Sequence, residues 1–284
     1  MTALLQFGFT NEQLANRELP FRSNLFANRT VIVSGGGGGI GRATAWMFGR
    51  LGARVAICGR NIEKLEETAA PMRDTGLEVE AYGCNIRRPE EVEMLFGAVV
   101  QRFGAFDMLV NSAGGQYPQA AIDFTPKGWH AVIETNLTGT WYMMQAAARY
   151  WRDNDKVGSI VNVVTVVDRG MPGIAHTCAA RAGVIALSKT VAVEWAPYNI
   201  RVNCIAPGAI DTEGQKVYSE DSRQRSARSN PMMRFGDAFD IADAAVYFCG
   251  PSGKFITGET LIVDGGGVLW GEFWVTDKPD YFKV

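Results

Sequence analysis

The stretch TVIVSGGGGGIG, from Thr30 to Gly41, decides the fold class of this chain. A short apolar run rich in β-branched residues ends at Ser34, a run of glycines follows, and helical spacing begins at Gly41. In such a strand–turn–helix unit, glycines let the backbone approach a pyrophosphate, and the helix N-terminus presents free N–H groups. The stretch therefore predicts a dinucleotide-binding turn. A flexible glycine turn without a ligand is the alternative interpretation.

The rest of the chain alternates short apolar runs with segments of helical spacing. Further candidate strands lie at residues 54–58, 78–83, 107–111, 159–164, 201–206 and 260–264. The clearest helical segments are residues 41–51, 61–72 and 89–103. Apolar strands separated by helices indicate a parallel sheet that is covered on both faces. We predict an α/β fold with a single domain over residues 29–284, a Rossmann fold whose doubly wound, seven-stranded parallel sheet is flanked by helices.

Three segments depart from this alternation. We expect residues 1–28 to form an N-terminal arm over the main body. The polar residues 211–239 follow the sixth strand and are interpreted as a substrate-loop excursion. Residues 265–284 form a C-terminal tail that we expect to pack on the protein itself or on a neighbour, and its aromatic residues are Trp270, Phe273, Trp274, Tyr281 and Phe282.

Composition excludes several classes of protein. The 284 residues are 47% hydrophobic and 20% charged, which is enough apolar material for a packed core and excludes global disorder. The net charge is −2, so the chain lacks the basic excess of a nucleic-acid or membrane-surface binder. No uncharged apolar run reaches the length of a membrane span, the N-terminus lacks the pattern of a secretory signal, and the C-terminal YFKV is not a peroxisomal address. We therefore predict a cytoplasmic location.

The cysteine and histidine content argues against a metal site. The five cysteines are scattered without a CxxC pair, and we interpret them as reduced core residues. With only His130 and His176 besides, a zinc site has almost no ligands available, and we predict no metal site.

The end of the second strand bears on the choice of cofactor. Enzymes that prefer NAD usually place an acidic residue there, where it binds the ribose hydroxyls. This chain reads Ile57-Cys58-Gly59-Arg60 instead. Because arginine can pair with a 2′-phosphate, the sequence favours NADP(H) over NAD. The alternative is that Arg60 is only an exposed side chain at the start of a helix.

Several ordered motifs resemble those of the short-chain dehydrogenase/reductase family. The turn Ser34–Gly41 resembles its TGxxxGxG signature, Asn111-Ser112-Ala113-Gly114 its NNAG motif, and IVNVVT (160–165) its IVNxSS strand. Asn136 within ETNLTGT and Pro207-Gly208 after the sixth strand match as well. The resemblance covers roughly residues 29–265.

The resemblance implies a set of site residues and an assembly. It implies that Asn136 keeps the active-site helix kinked and hydrated, and that the protein is a homo-oligomer, specifically a homotetramer. The residues it implies for binding NADP(H) are Ser34, Gly35, Gly39, Ile40, Gly41, Arg60, Asn85, Ile86, Asn111, Ala113, Gly114, Arg181, Pro207, Gly208, Ile210 and Thr212.

One departure from the family changes the chemistry that is available. The family's Tyr-x-x-x-Lys pair is absent, and Thr177 and Arg181 stand at the matching positions, with Thr165 at the serine position. An aliphatic hydroxyl is a very poor acid near neutral pH, and arginine is a poor proton relay. Reduction of a carbonyl therefore loses its general acid. Reduction of a C=C bond conjugated to a thioester loses less, because hydride adds at the β-carbon and hydrogen-bond donors stabilise the thioester oxygen.

The runs NSAGGQ (111–116), KGWHAVIETNLTGTWYM (127–143) and AARAGV (179–184) resemble the peroxisomal trans-2-enoyl-CoA reductase branch and, more loosely, the 2,4-dienoyl-CoA reductases. We therefore expect NADPH-dependent reduction of an α,β-unsaturated acyl thioester, with an acyl-CoA as the substrate. The expected catalytic residues are Asn136, Thr165, Thr177 and Arg181.

Several alternatives stay open. The protein could instead be an NAD(P)-dependent alcohol or aldehyde dehydrogenase acting on a branched or terpenoid substrate, or a catalytically silent cofactor-binding homologue. The proton donor is not identified, and Asp168, Tyr117 and His176 are candidates that could equally be structural. Four arginines of the excursion could attract the phosphates of coenzyme A or simply be solvated, and they are Arg223, Arg225, Arg228 and Arg234.

Overall fold

A computed structural model of the chain describes residues 8–271, 275 and 280. Its centre is a parallel sheet with the strand order β3-β2-β1-β4-β5-β6-β7. The strands are β1 (Thr30–Ser34), β2 (Arg54–Gly59), β3 (Val79–Gly83), β4 (Met108–Asn111), β5 (Gly158–Val163), β6 (Ile200–Pro207) and β7 (Thr260–Val263). The predicted Rossmann fold with a doubly wound, seven-stranded parallel sheet is confirmed.

Helices connect the strands and cover both faces of the sheet. They are α1 (Asn11–Asn16), α2 (Gly39–Arg50), α3 (Ile62–Asp74), α4 (Pro89–Phe103), α5 (Pro126–Ile133), α6 (Gly139–Asp153), α7 (Ala175–Trp195), α8 (Glu220–Ala227) and α9 (Ala238–Cys249). A single π-helical turn, Glu134–Thr138, joins α5 to α6. The chain reverses its direction of winding between β1 and β4, which is where open α/β sheets bind ligands.

Alternation along the strands builds a core on each face. In β1, Val31 and Val33 face one core with Phe48 of α2 and Phe239 of α9. Ile32 lies between them in sequence and faces the opposite core with Trp151 of α6. The indole N–H of Trp151 donates to the carbonyl of Phe106 at 2.8 Å, so the largest buried side chain of that core leaves no unpaired donor.

Residues 8–28 lie against α2. Thr10 caps α1 in a capping box, and Leu14 is 1% exposed. The guanidinium of Arg50 donates to the carbonyl of Leu14 at 2.9 Å, and Phe26 stacks on Phe48 with 4.8 Å between ring centroids. Apolar and polar contacts therefore both hold this segment on the domain.

Residues 211–239 contain more regular structure than their polar sequence indicates. They include a 3₁₀ turn at Glu213–Val217 and the short helix α8, which Ser219 caps. Arg223 pairs with Glu220, and Arg225 lies 2.5 Å from Asp221. Local ion pairs and a cap therefore support α8, which buries none of its residues.

At the other end, the carbonyl of Trp270 accepts a hydrogen bond from Arg169. Phe273, Trp274, Tyr281 and Phe282 lie outside the described residues. Within the described part of the chain, no helix has the length and apolar character to cross a bilayer, and the side chains include no cluster suited to a metal ion.

Candidate functional site

A cavity of about 740 Å³ opens at the carboxyl ends of the central strands, at the β1/β4 reversal. Its described lining residues include most of the predicted cofactor-binding positions. These lining residues are Gly35, Gly39, Ile40, Arg60, Asn85, Ile86, Ala113, Gly114, Arg181 and Thr212. The size and position suit a dinucleotide, since cavities that hold small molecules and cofactors occupy roughly 300–1,000 Å³.

The glycine turn after β1 needs glycine for steric reasons at two positions. Gly35 has φ +74°, and a Cβ there would lie 2.8 Å from the backbone of Ala113. A Cβ on Gly41 would lie 2.2 Å from the carbonyl oxygen of Gly35. The turn is therefore closed by its own backbone. Gly39 and Ile40, the first residues of α2, line the cavity.

A carboxylate already lies on this turn. Glu213 accepts a hydrogen bond from the backbone N–H of Gly39 at 3.0 Å, and its other oxygen lies 3.0 Å from the guanidinium of Arg42. The same guanidinium donates to the carbonyl of Phe9 at 2.5 Å. Glu213 thus places a negative charge at the helix N-terminus, the position that suits a phosphate.

The part of the cavity that is lined by the residues after β2 and β3 is electropositive. Arg60, Lys64 and Arg87 all line it, and Arg87 is held by the side chain of Asn85, whose Oδ1 accepts from its Nε at 3.2 Å. Among the described lining residues, four cations face one carboxylate, Glu213. The sequence has no acidic residue at the end of β2, and the structure places further positive charge near Arg60.

Two predicted residues support the wall of the cavity from behind. The Ser34 hydroxyl donates to the Asn111 side chain at 3.4 Å and accepts from the N–H of Ala113 at 3.3 Å. Asn111 donates to Asn162 at 2.9 Å, and Asn162 donates to Ser188 on α7 at 2.9 Å. This buried chain of hydrogen bonds ties β1, β4, β5 and α7 together.

Asn136 and Arg181 form a buried cluster, and Arg181 also lines the cavity. Asn136 lies in the π-helical turn, and its side-chain amide exchanges two hydrogen bonds with the backbone of Gly115, at 3.0 and 2.9 Å. Arg181 donates to the carbonyl of Asn136 at 3.3 Å and to that of Ala113 at 3.4 Å. Burial lowers the pKa of Arg181 to about 10, so the guanidinium stays charged at neutral pH.

The two predicted catalytic threonines do not join this cluster as lining residues of the cavity. Thr177 is 3% exposed, and its hydroxyl lies 3.4 Å from Nδ1 of His176. Thr165 follows β5 and is half-buried. A spacing of four residues places Thr177 and Arg181 on the same side of α7, but only the longer side chain reaches the cavity.

The three suggested proton donors lie in different environments. Asp168 is exposed. His176 is fully buried, stacks on Phe124 at 4.4 Å and contacts the edge of Tyr117 at 4.8 Å. Burial lowers the pKa of His176, and its Nε2 has no hydrogen-bond partner within the described residues.

The remaining predicted positions lie beside the cavity. Pro207 ends β6, and a Cβ on Gly208 would lie 2.7 Å from Cβ of Asp264. Ile210 is buried and forms an isolated β-bridge with Gly236. These three residues set the course of the chain that brings Thr212 to the glycine turn.

Some site residues were missed by sequence reasoning. Lys64 lies in the first turn of α3, whereas Arg60 precedes that helix, so no helical spacing links the two residues in the sequence. Glu213 reaches a glycine turn that lies 174 residues earlier, and Tyr218 contacts Gln116 across 102 residues. No local pattern encodes contacts of that range.

The chain is similar to known reductases and dehydrogenases in both sequence and structure. A family model described as enoyl-(acyl carrier protein) reductase matches residues 36–267. A probable 2,4-dienoyl-CoA reductase from Bacillus subtilis is 37% identical over 243 residues, 84% of this chain and 96% of its own. A 3-oxoacyl-(acyl-carrier-protein) reductase from Chlamydia muridarum is 35% identical over 86% of this chain and 99% of its own. A solved structure, the citronellol catabolism dehydrogenase from Pseudomonas aeruginosa, has a TM-score of 0.78 and 36% identity over 87% of this chain and 98% of its own.

Proposed function

Because the chain belongs to the short-chain dehydrogenase/reductase family, we propose that it is an NADPH-dependent reductase of a C=C bond conjugated to an acyl-CoA thioester. The resemblance seen in its motifs, to this family and to its dienoyl-CoA reductases, is confirmed by the relatives. A nicotinamide cofactor fits the cavity, because the glycine turn, the start of α2 and the surrounding cations suit the phosphates of a dinucleotide.

The observation that carries this proposal is that Thr177 and Arg181 replace the tyrosine and lysine of the family's acid–base pair. Thr177 is buried against His176, so it does not present a proton to the cavity, whereas Arg181 keeps a positive charge there. A carbonyl acceptor needs a proton at its oxygen as hydride arrives. An α,β-unsaturated thioester can spread the negative charge onto its oxygen first, and a fixed charge or hydrogen-bond donor stabilises it.

Each part of the site has a proposed role. NADPH, when bound, supplies the hydride. Arg181 holds the nicotinamide ribose, Asn136 keeps the π-helical turn in place through Gly115, and the glycine turn with Thr212 holds the pyrophosphate. The hydroxyls of Thr165 and Thr177 stay predicted donors to the developing oxyanion, and they would need a shift of α7 or of the loop after β5 to reach it.

The choice of NADPH rests on the electropositive part of the cavity, which we assign to the adenosine end of the cofactor. Arg60, Lys64 and Arg87 line that end, and a 2′-phosphate would place two negative charges among them. We expect Arg60→Ala and Lys64→Ala to weaken NADPH binding by about tenfold each while NADH binding changes little. Arg88→Ala is the matched control, because Arg88 pairs with Glu91 and does not line the cavity. Equal losses for NADPH and NADH would contradict the assignment.

An alcohol dehydrogenase is the second candidate function, and the similarity to the citronellol catabolism dehydrogenase favours it. A panel assay that follows NADPH absorbance separates the two. We expect turnover of 2-enoyl-CoA and 2,4-dienoyl-CoA esters and little turnover of 3-oxoacyl thioesters. Oxidation of citronellol with NADP⁺, with every unsaturated thioester left untouched, would overturn the first proposal in favour of the second. Cofactor binding without any turnover would contradict both.

A further inference from the structure

The proposed reduction needs a proton donor at the cavity. Neither tyrosine nor histidine occurs among the described residues that line it. Two suggested donors are engaged elsewhere: His176 lies between aromatic rings, and the phenol of Tyr117 packs against Gly128 at the start of α5. The product needs a new C–H bond at Cα, so the proton comes either from water or from an acid on a neighbouring element.

Tyr218 brings a phenol next to the backbone that borders the cavity, without being among the described lining residues itself. It follows the 3₁₀ turn Glu213–Val217, and its hydroxyl contacts the side-chain amide of Gln116. Gln116 is two residues beyond Gly114, where a Cβ would lie 2.2 Å from the guanidinium of Arg181. The intervening Gly115 holds Asn136 through two hydrogen bonds. A short piece of backbone therefore joins the phenol to the Arg181–Asn136 cluster.

The direction of this hydrogen bond matters for the chemistry. The amide of Gln116 donates and the phenol oxygen accepts, so the phenol's own proton is left to donate to another group. Burial raises the pKa of Tyr218, and the amide hydrogen bond partly offsets that rise. The phenol is therefore protonated at neutral pH, and Gln116 can stabilise the phenolate that forms once the proton has left.

We propose that Tyr218 is the catalytic proton donor to Cα of the substrate, an inference that rests on the proposed enoyl thioester reduction. Hydride from NADPH forms the new Cβ–H bond, and the C=C electrons move onto the thioester oxygen as an enolate. The enolate then re-forms its carbonyl while Cα takes the proton and the O–H bond of Tyr218 breaks. Water returns a proton to the phenolate, so the sum is one enoyl thioester, one NADPH and one proton consumed.

The test compares Tyr218→Phe with the wild-type protein on a 2-enoyl-CoA. We expect kcat to fall by about 100-fold or more, the range for loss of a general acid, with KM changed by less than about threefold. In D₂O the wild-type enzyme should place deuterium on one face of Cα, and the variant should lose that selectivity because water replaces the phenol. Tyr198→Phe is the matched control, since Tyr198 is 46% exposed in the turn after α7.

A second variant, Gln116→Ala, distinguishes a catalytic role of Tyr218 from a purely structural one. Wild-type kcat should fall at high pH as the phenol ionises, and Gln116→Ala should move that fall to higher pH because the phenolate loses its amide donor. Wild-type kcat with retained deuterium selectivity in Tyr218→Phe would overturn the assignment of Tyr218 and leave the proposed function standing. A wild-type protein that reduces no unsaturated thioester would overturn both.

Discussion

At the scale of single residues, Arg181 combines two tasks in one side chain. Its guanidinium holds the carbonyls of Ala113 and Asn136 and also lines the cavity. Lysine would keep the charge but lose the planar pair of donors. We expect Arg181→Lys to weaken NADPH binding by roughly tenfold and to lower kcat/KM at least as much.

Titration with NADPH by fluorescence would measure the affinity of Arg181→Lys. Arg201→Lys is the matched control, because Arg201 also donates to backbone carbonyls, those of Gly253 and Ile256, but does not line the cavity. It should lower the unfolding temperature without changing NADPH affinity. Wild-type affinity in Arg181→Lys would remove the proposed role of its guanidinium.

Asp243 gives a pH dependence of stability with a definite sign. Desolvation raises the pKa of Asp243 to about 6, Arg17 partly lowers it, and Asp237 and Asp240 add to the rise. Because the folded-state pKa lies above the unfolded value, the native state binds more protons between about pH 4 and 6, and stability falls as pH rises through that window. Asp243→Asn should therefore stabilise the protein by on the order of 1 kcal/mol at pH 8.

Urea unfolding at pH 4 and pH 8 checks this prediction. The gain from Asp243→Asn should disappear at the lower pH, where Asp243 is protonated in the native state. Asp221→Asn, at an exposed ion pair on α8, should change stability little at either pH. A gain that is the same at both pH values would show that ionisation of Asp243 is not its cause.

At the scale of elements, the segment between β6 and α9 determines what lies on the glycine turn. Glu213 occupies the N–H of Gly39 and engages Arg42, so a bound phosphate must displace its carboxylate or lie beside it. We expect Glu213→Gln to tighten NADPH binding by roughly threefold to tenfold, because a like charge is removed and Arg42 is released.

The measurement for Glu213→Gln is NADPH affinity at low and high salt, since screening should reduce the gain. Glu220→Gln is the control, because Glu220 lies in the same segment but pairs with Arg223. Weaker binding in Glu213→Gln would indicate that the carboxylate organises the turn and does not compete with the ligand.

The elements also show where sequence reasoning succeeds and where it stops. Apolar runs and glycine positions predicted every strand of the described sheet, because burial on both faces imposes a local pattern. The helix α8 was missed, since it has no apolar face and depends on Ser219 and local ion pairs. Thr177 was expected in the site because it lies four residues before Arg181. That spacing determines on which side of α7 a side chain lies, but not whether the side chain is long enough to line the cavity.

At the scale of the whole molecule, the strand β7 leaves an edge of the sheet that is partly apolar. Leu261 and Ile262 are 38% and 37% exposed, and Phe255 just before the strand is fully exposed. An exposed apolar edge usually marks a surface that another chain covers. We expect the protein to form homo-oligomers through this edge, in keeping with the predicted tetramer.

Light scattering coupled to size-exclusion chromatography gives the mass of the assembly. We expect Ile262→Asp to reduce that mass, because a charge would be buried in the contact. Ile122→Asp is the control, since Ile122 is 93% exposed and lies in a 3₁₀ turn before α5, not in β7. A wild-type mass in Ile262→Asp, or a monomeric wild type, would contradict this role of β7.

The guanidinium of Arg42 reaches both the carbonyl of Phe9 and the carboxylate of Glu213, and so it connects the beginning of the described chain to the glycine turn. Changes made at that end for convenience are therefore not neutral. A shortened protein that starts at Arg29 would lose the hydrogen bond from Arg42 to the carbonyl of Phe9, and a purification tag fused close to Phe9 would disturb it. Either change should alter the affinity of the enzyme for its coenzyme. Preparations that differ only in this leading segment should be compared by coenzyme affinity before their catalytic rates are compared.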